Sequence, residues 1–359
     1  MHPRWIFRVF AKARIRNGID HAIRGAALVA LGIGGTASAE TLVLTGDLGH
    51  EAQVLQGLAQ GAVIDARSAL FRVANSGQSA PTSALPCDSG DLVVNPYPLQ
   101  IRNSADVTVL GGFFAGEVPQ TSDWQDTYCN SAAIDVRDGP GVTVEAVRMR
   151  RLWDALRFSK DSNRFVLRGS WISETRDDCI ENDYLNAGRI EDMLLDGCFA
   201  GLSMRPPKGE DRTAAGDAVV LRGVLMRMQG YLYKGEQHEA PPFKVIEAAP
   251  RIAIHDSILA MGDAETLSKA RVGIGWAQIG ECSDNLLLWT SDAPWPEDLA
   301  PPPACFQVVK GAEARAIWQQ ARQNWINCHP DIQRFPEDPL AVAAQCNPDA
   351  YGGKVIHNR

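Results

Sequence analysis

The chain of 359 residues lacks a hydrophobic run long enough to cross a bilayer. Its most apolar stretch, GAALVALGIGG at positions 25–35, has about eleven residues, whereas a spanning helix needs roughly twenty. Basic residues precede this stretch, and the small-x-small site Ala37-Ser38-Ala39 follows it. This order predicts a signal peptide at 1–39, cleaved after Ala39, and a secreted or periplasmic protein without stable membrane insertion. An uncleaved N-terminal anchor is the alternative.

An excess of positive charge is also missing. The chain contains 35 Lys and Arg against 43 Asp and Glu. Without residues 1–39 the balance becomes 29 basic against 42 acidic residues, a formal net charge of −13. Phosphate backbones and anionic membranes attract basic surfaces. The composition therefore argues against nucleic-acid binding, and we expect no nucleic-acid partner.

Metal-binding cysteine motifs are absent. No two cysteines form a CxxC pair, and none has a histidine at zinc-finger spacing, which argues against structural zinc. An even number of cysteines in an exported protein favours disulfides, although their connectivity stays open. We expect sequential pairing near the C-terminus, as Cys282–Cys305 and Cys328–Cys346. The eight cysteines are Cys87, Cys129, Cys179, Cys198, Cys282, Cys305, Cys328 and Cys346.

Nucleotide-binding and nucleophile-elbow motifs are missing as well, since none occurs in the strand–turn–helix context that it requires. The chain has internal repetition instead. Short β-forming stretches recur at steps of 23 to 33 residues when they are aligned on Ala146, Gly169, Gly197, Gly223 and Asp256. These stretches are VTVEAVRM (142–149), FVLRGSWI (165–172), MLLDGCF (193–199), VVLRGVLM (219–226) and IAIHDSIL (252–259).

A second series of short alternating strands lies between these copies. Two or more strands in a unit of roughly 22–28 residues suit a solenoid whose coils stack strand on strand. Such units are too short for helical repeats and for four-stranded propeller blades. The second series is AAIDVR (132–137), DALRFS (154–159), DCIEND (178–183) and GLSMRP (201–206).

The repeated motifs at 107–259 resemble the right-handed parallel β-helix superfamily, which includes pectate lyases, polygalacturonases and alginate epimerases. The resemblance implies an all-β, right-handed parallel β-helix solenoid. We expect an N-terminal cap with irregular first coils at 40–106, the β-helix at 107–295 and a C-terminal cap or tail at 296–359. An apolar stripe predicts a capping helix at about 311–328, at the end of the solenoid or against its wall.

The resemblance does not extend to a characterised subfamily. Of the polygalacturonase-like blocks, only the Asp-Asp pair has a counterpart, in Asp177–Asp178. The Asp-Pro-His-Asp block of alginate epimerases and the Trp-Ile-Asp-His block of pectate lyases are absent. The resemblance therefore implies a fold and a broad class of substrate, but no named reaction.

Stacking of the coils determines which side chains of successive repeats become neighbours. Strands of successive coils lie about 4.8 Å apart, and their side chains alternate between the inside and the outside. Alignment of the second series thus predicts one inward column and one outward ladder of opposite charges. The inward column is Ile134, Leu156, Ile180 and Leu202, and the outward ladder is Asp135, Arg157, Glu181 and Ser203.

The same alignment stacks Asp154 on Asp178. Two carboxylates at roughly 5 Å repel, so that one keeps its proton or a cation neutralises both. We therefore predict a catalytic site in which Asp154, Asp178 and Glu181 are acid/base groups and Arg157 stabilises developing charge. Alternatively, Asp154, Asp177 and Asp178 bind calcium, the one cofactor that the sequence suggests. A solvent-exposed ion-pair ladder without a catalytic role is the structural alternative.

Basic and aromatic residues near the ladder suggest a sugar-binding groove. Arg205 can hold a uronate carboxylate through two parallel hydrogen bonds. Trp124, Tyr128 and Trp153 can stack on sugar rings. We predict these four as substrate-binding residues; a groove lined by the three rings beside Asp178 favours a glycan site, whereas burial of the rings favours a scaffold.

Two functions follow from these patterns. The first is a secreted or periplasmic enzyme, a polysaccharide lyase or glycoside hydrolase, that acts on an acidic polysaccharide by elimination or hydrolysis. The second is a non-catalytic β-helix that binds glycans or forms an envelope scaffold. In both cases we expect a monomer whose partner is a polysaccharide.

Overall fold

Parallel strands stacked coil upon coil form most of the molecule. Its computed structural model describes residues 40–75, 97–206, 212, 214, 217–262 and 266–348. Within these residues, 22 strands pair into one continuous parallel sheet that winds as a right-handed parallel β-helix. The predicted fold class is therefore confirmed. The predicted signal peptide at 1–39 lies outside the described residues.

Most strands are short because each coil turns at corners, and only three of the described strands reach eleven residues. The strands are β1 (Thr41–Asp47), β2 (Gln53–Gln56), β3 (Val63–Val73), β4 (Leu99–Arg102), β5 (Thr108–Leu110), β6 (Phe113–Gly116), β7 (Ala132–Arg137), β8 (Thr143–Glu145), β9 (Arg148–Leu152), β10 (Asp154–Ser159), β11 (Phe165–Arg168), β12 (Trp171–Glu181), β13 (Gly188–Glu191), β14 (Leu194–Met204), β15 (Ala218–Arg222), β16 (Leu225–Met228), β17 (Tyr231–Tyr233), β18 (Glu236–Glu239), β19 (Phe243–Val245), β20 (Arg251–His255), β21 (Ile258–Met261), β22 (Thr266–Leu267), β23 (Ile279–Ser283), β24 (Asn285–Trp289) and β25 (Phe306–Lys310). The helices are α1 (Trp124–Thr127), α2 (Lys269–Gln278), α3 (Gly311–Cys328) and a short 3-10 helix (Ala343–Gln345).

The strands are arranged in three walls. The first wall runs from the starts of β1 and β3 to β23, and the second runs from the ends of β1 and β3 to β25. The third wall carries the site described below and consists of β2, β4, β7, β10, the ends of β12 and β14, and β19. The pairing of β12 with β14 shifts in register between Thr175 and Asp178, where both strands pass from the second wall to the third.

A column of left-handed residues turns the chain from the first wall to the second. At seven successive corners, the residue after the first-wall strand has a φ between 51° and 69°. The sequence alignment places Gly197 in this column, which is wrong. Asp192 holds the position because the first-wall strand of that coil is β13, and Gly197 lies inside β14. The column is Gly111, Ala146, Gly169, Asp192, Gly223, Asp256 and Asp284.

Inward-facing side chains fill the interior of the solenoid. The predicted inward column from Ile134 to Leu202 stacks in register and is fully buried. Burial of such a side chain stabilises the fold by about 1.5–3 kcal/mol. Asn182 is a polar member of the interior, and its amide is satisfied locally, donating to the carbonyl of Asn186 at 2.7 Å and accepting from its N–H at 3.0 Å.

Three disulfides join described residues. Cys282–Cys305 and Cys328–Cys346 pair as expected from the sequence. The third, Cys179–Cys198, links β12 to β14 directly beside Asp178. It ties together the two coils that carry the third-wall carboxylates. Cys87 lies outside the described residues.

Helix α3 covers the outer face of the second wall. That wall projects large apolar side chains from successive coils, and Trp171, Leu194 and Leu225 stack in register. Trp318 and Trp325 of α3 pack against this stack. The predicted C-terminal helix is thus present and lies along the wall, one of its two expected positions.

Short inserted elements surround the third wall. Strands β17, β18 and β22 form a small separate sheet. Between β21 and β23 the chain forms α2, which packs on β19 through Trp276 and Phe243 at a ring separation of 6.1 Å. None of the described helices is long and apolar enough to span a membrane.

The corner residue Gly169 provides a test of the left-handed column. Its φ is 53°, and a Cβ there would meet no atom within 4 Å. Gly169→Val therefore changes backbone preference without a clash, and we expect the free energy of unfolding to fall by about 1–2 kcal/mol. Gly169→Asn is the matched control, and its free energy of unfolding should fall markedly less than that of Gly169→Val, because asparagine tolerates this conformation. Urea-induced unfolding measures both variants, and equal losses would contradict the proposed role of the corner.

Candidate functional site

The outward ladder of the third wall has the predicted register. Arg157 pairs with Asp135 on one side and with Glu181 on the other, and Glu181 pairs with Ser203. The structure extends the ladder by one member, Lys244 of β19, which lies opposite Ser203.

The ladder is buried rather than exposed. Asp135 and Ser203 are buried, and the side chain of Glu181 is only 14% exposed. The interpretation as a solvent-exposed ion-pair ladder is therefore wrong. Tyr97 and the inserted elements cover the outward face, so its charges interact in a medium that screens them less than water does.

Three carboxylates meet at the start of this wall. The backbone N–H of Asp178 donates to Asp154 Oδ1 at 2.9 Å. Oxygens of Asp154, Asp177 and Asp178 all lie within 4.8 Å of one another. The predicted stacking of Asp154 on Asp178 is therefore present. Asp154 and Asp178 are 7% and 3% exposed, whereas Asp177 is partly accessible.

Lys244 neutralises much of this negative charge. Its Nζ donates to both oxygens of Asp178 at 2.8 Å and lies 3.5 Å from Asp177 Oδ1. Sequence analysis missed this residue, although its strand Phe243–Val245 alternates an apolar, a polar and an apolar side chain as the other ladder strands do. The separation of Lys244 from Ser203 by more than one repeat length concealed the match.

The protonation of the cluster follows from burial and charge. Burial opposes the positive charge of Lys244, but Asp177 and Asp178 outweigh it and raise the pKa of the ammonium, which therefore stays charged. Burial, together with the charges of Glu181 and Asp177, raises the pKa of Asp154 well above 3.8. Burial also raises the pKa of Asp178, although Lys244 opposes the rise. Within the part of the chain that the structure describes, no ammonium group contacts Asp154, so that its raised pKa favours the protonated form.

Arg157 and Glu181 form the adjacent part of the ladder. Arg157 Nε lies 3.4 Å from Glu181 Oε2, and its terminal nitrogen donates to the Tyr97 hydroxyl at 2.5 Å. Burial raises the pKa of Glu181 to about 7, although Arg157 lowers it. Glu181 can therefore exchange a proton near neutral pH.

Arg176 holds in place the cover of the third wall, by which we mean the segment before α1 and the β17–β18 sheet. Its guanidinium donates to the carbonyls of Pro119 at 3.2 Å and Ser122 at 2.6 Å, and it stacks 4.5 Å from the ring of Tyr231. These contacts join the segment before α1 to the β17–β18 sheet. The residue beside Asp177 is thus structural, and it fixes the position of the cover relative to the carboxylates.

The predicted sugar-stacking residues form one aromatic cluster. The ring centroid of Trp124 lies 4.7 Å from that of Tyr128 and 5.1 Å from that of Trp153. The ring centroids of Tyr128 and Trp153 are 5.8 Å apart. Trp153 is only 4% exposed. It therefore supports the cluster from beneath, while Trp124 and Tyr128 remain partly accessible.

A cleft of about 450 Å³ opens beside this cluster. Its wall brings together Asp177 and Lys244 from the carboxylate cluster with the predicted binding residues Trp124 and Arg205. The predicted catalytic residues Asp154, Asp178, Glu181 and Arg157 do not line it. The other lining residues are Phe199, Tyr233, His238, Ala240, Ser268, Lys269, Ala270 and Arg271.

The carboxylate cluster has the oxygen ligands that calcium prefers. A cation bound by Asp154, Asp177 and Asp178 would share Asp178 with the ammonium of Lys244, which already contacts both of its oxygens. Two positive charges would then compete for one carboxylate. Calcium binding stays a prediction, and Lys244 is the cation that the chain itself supplies.

No protein-family model matches the chain, and neither a curated protein nor a solved structure matches it. The β-helix fold is therefore established by the strand pairing. Because this architecture supports many activities, the function has to be argued from the cluster and the cleft themselves.

Removing the charge of Lys244 should lower the free energy of unfolding, because the buried carboxylates lose the cation that neutralises them. In Lys244→Met, Asp178 keeps a buried negative charge without its partner, and we expect a loss of about 3–5 kcal/mol in unfolding free energy at pH 7. Lys269→Met removes a solvent-exposed pair with Asp298 and should cost less than about 1 kcal/mol. Urea-induced unfolding compares the two, and losses of equal size would contradict the role given to Lys244.

The raised pKa of Glu181 should appear in the pH dependence of stability. The folded state keeps this proton to about pH 7, whereas the unfolded chain loses it near 4.5. The stability that it contributes is therefore complete below 4.5 and is lost as the pH rises through 7. Glu181→Gln cannot titrate, so that its loss of unfolding free energy between about pH 5 and 8 should be smaller by about 1–3 kcal/mol.

Chemical unfolding at a series of pH values checks this expectation. Glu145→Gln, which alters a surface pair with Arg168, is the control and should keep the wild-type slope. A wild-type slope in Glu181→Gln as well would show that Glu181 does not titrate in this range.

Proposed function

We propose that the protein is a secreted or periplasmic enzyme that hydrolyses an acidic polysaccharide. One observation carries the proposal: Asp177 and Lys244 of a buried carboxylate cluster lie on the wall of the same cleft as Trp124 and Arg205. Charged groups of the carboxylate cluster and the predicted sugar-binding residues thus share one surface. The disulfides are consistent with an oxidising compartment outside the cytoplasm.

The cluster provides the two carboxyl groups that glycoside hydrolysis requires. One must donate a proton to the leaving glycosidic oxygen, and the other must accept a proton from water or attack the sugar. Asp154 holds a proton, and its carboxyl oxygen lies within 4.8 Å of one on Asp177, which reaches the cleft. Asp177, on the cleft wall, is the catalytic residue that takes the proton lost by the attacking water, and Asp154 behind it is the source of the proton gained by the leaving oxygen. Asp178 is a positioning residue that holds Lys244.

Hydrolysis fits this geometry better than elimination. Elimination requires a base that removes a proton from carbon next to a uronate carboxylate, while a cation neutralises that carboxylate. Lys244 cannot be the base, because Asp177 and Asp178 keep it protonated. Its ammonium is suited to stabilising negative charge instead.

The cleft is suited to an acidic sugar chain. Arg205 and Arg271 lie on its wall, and guanidinium groups bind carboxylates through two parallel hydrogen bonds. Trp124 and Tyr233, 5.6 Å apart, offer rings on which sugars can stack. These cations stand out in a chain with a net charge of −8.

A non-catalytic glycan-binding or scaffold role is the second candidate. It is favoured by the burial of Trp153 and by ion pairing, since Asp178 of the carboxylate cluster and Glu181 of the ladder each have a basic partner. Under this alternative the cleft binds sugar but has no turnover.

An activity panel separates the candidates. The purified protein is incubated with polyuronates and neutral glycans, with and without EDTA, and new reducing ends and ultraviolet-absorbing products are measured. We expect reducing ends without ultraviolet absorbance from a polyuronate. Asp177→Asn should lower the rate by about 10²-fold or more. Asp256→Asn, which alters a surface pair with Arg222, should keep wild-type activity.

Each other outcome identifies a different function. Ultraviolet-absorbing products would show that the reaction is elimination and not hydrolysis. Loss of activity in EDTA would support calcium binding at Asp154, Asp177 and Asp178. Saturable binding of a glycan without products would overturn the enzyme in favour of the binding protein.

A further inference from the structure

His238 and Ser268 form a hydrogen-bonded pair on the wall of the third-wall cleft. Strands β18 and β22 run parallel and place His238 opposite Thr266, and Ser268 follows at the start of α2. The Ser268 hydroxyl lies 2.8 Å from His238 Nε2. Both residues are partly accessible and line the cleft of about 450 Å³. The glycan hydrolysis proposed above uses neither of them.

The hydrogen bonds around His238 determine which ring nitrogen carries the proton. The Thr266 hydroxyl donates its one hydrogen to the carbonyl of Gln237. Its oxygen, 3.1 Å from His238 Nδ1, therefore has to accept there, so that Nδ1 carries the proton of the neutral ring. Nε2 is left with its lone pair and accepts the hydroxyl proton of Ser268. This is the tautomer in which an imidazole activates a serine as a nucleophile.

The surroundings of His238 keep its ring neutral and oriented. The rings of Tyr233 and Phe199 lie 5.6 Å and 6.1 Å from the imidazole. Burial lowers the pKa of His238, and the charge of Arg271 lowers it further against a smaller opposing effect of Glu236. The imidazole is therefore uncharged at pH 7 and free to take up a proton.

Ser268 holds the N-cap position of α2, but its hydroxyl does not cap the helix. A serine at this position usually accepts from the N–H of the second or third helical residue. Because the Ser268 hydroxyl bonds His238 instead, the N–H groups of Lys269, Ala270 and Arg271 have no hydrogen-bond partner among the described residues. These donors directly follow Ser268, at the end of the helix that favours negative charge. They are suited to binding an oxyanion that forms on a group attached to Ser268.

We propose that Ser268 is a catalytic nucleophile that hydrolyses a short acyl ester, with His238 as its general base. Ser268 Oγ bonds to the carbonyl carbon of the ester while its proton moves to Nε2. The ester C–O bond then breaks, and the alcohol leaves with that proton. Water attacks the acyl-serine and gives a proton to Nε2, which returns it to Ser268 as the carboxylic acid leaves.

The cleft supplies the apolar contacts that a short acyl group needs. Phe199 and Ala240 lie on the same wall as the pair. The N–H groups of α2 are close to the carbonyl carbon, where negative charge develops. No member of the carboxylate cluster takes part, so that this activity does not depend on the hydrolysis of a glycan.

Two reagents test the pair in the full chain. Hydrolysis of p-nitrophenyl acetate is followed by the release of nitrophenolate. A fluorophosphonate modifies activated serines covalently, and peptide mass spectrometry locates the modified residue. We expect saturable hydrolysis and a label on Ser268. Ser268→Ala should lower kcat/KM by about 10²-fold or more and lose the label, and His238→Gln should slow hydrolysis and labelling by about 10²-fold.

Ser283→Ala is the matched control. Ser283 lies 3.0 Å from His255 Nδ1, but this pair belongs to the first wall and does not line the cleft. The variant should hydrolyse the ester and take up the label as the wild type does. An unlabelled Ser268 in the wild type would overturn the proposal whether or not the variants fold, as would wild-type hydrolysis by folded Ser268→Ala. Neither reagent is a glycan, so that this failure is distinct from inactivity toward polyuronates.

Discussion

The in-register stacking of parallel strands is the constraint on which the rest of the structure depends. Residues about two dozen positions apart become neighbours at the spacing of paired strands, roughly 4.8 Å. For apolar side chains this produces the inward column from Ile134 to Leu202. For charged side chains it forces like charges together, as at Asp154 and Asp178. A site of raised pKa is therefore a direct consequence of the fold.

Burial determines how the stacked charged side chains are paired or protonated. An exposed ladder of Arg157 and Glu181 would be screened by water and would contribute little. Tyr97 and the elements fastened by Arg176 exclude water from much of the third wall, and the charges then have to be paired or protonated. Lys244 pairs with Asp178, while Asp154 keeps a proton. The cover is thus as important to the proposed function as the carboxylates are.

The walls of the solenoid differ in the polarity of their outer faces and in the elements that cover them. The second wall carries a stack of apolar side chains on its outside, and the tryptophans of α3 pack on this stack to form a second hydrophobic cluster. The third wall is polar on its outside and is covered only in part, by short insertions that leave a cleft. The cleft thus lies where covering elements meet a solenoid wall.

The alternation of apolar and polar residues and the spacing of the copies predicted a stacked solenoid and the ladder from Asp135 to Ser203. The family resemblance implied that the solenoid is a parallel β-helix. Sequential order suggested the pairs Cys282–Cys305 and Cys328–Cys346. These features depend on residues within one repeat or on sequential order. Lys244 could not be found in this way, because an insertion of variable length separates it from Ser203. The error at the corner has another cause: Asp192 follows Gly169 at the regular step, but the alignment was made on the glycine of the stretch MLLDGCF instead. Burial of the ladder, the position of Trp153 and the cleft were decided by tertiary structure alone, since they depend on how distant segments cover the walls.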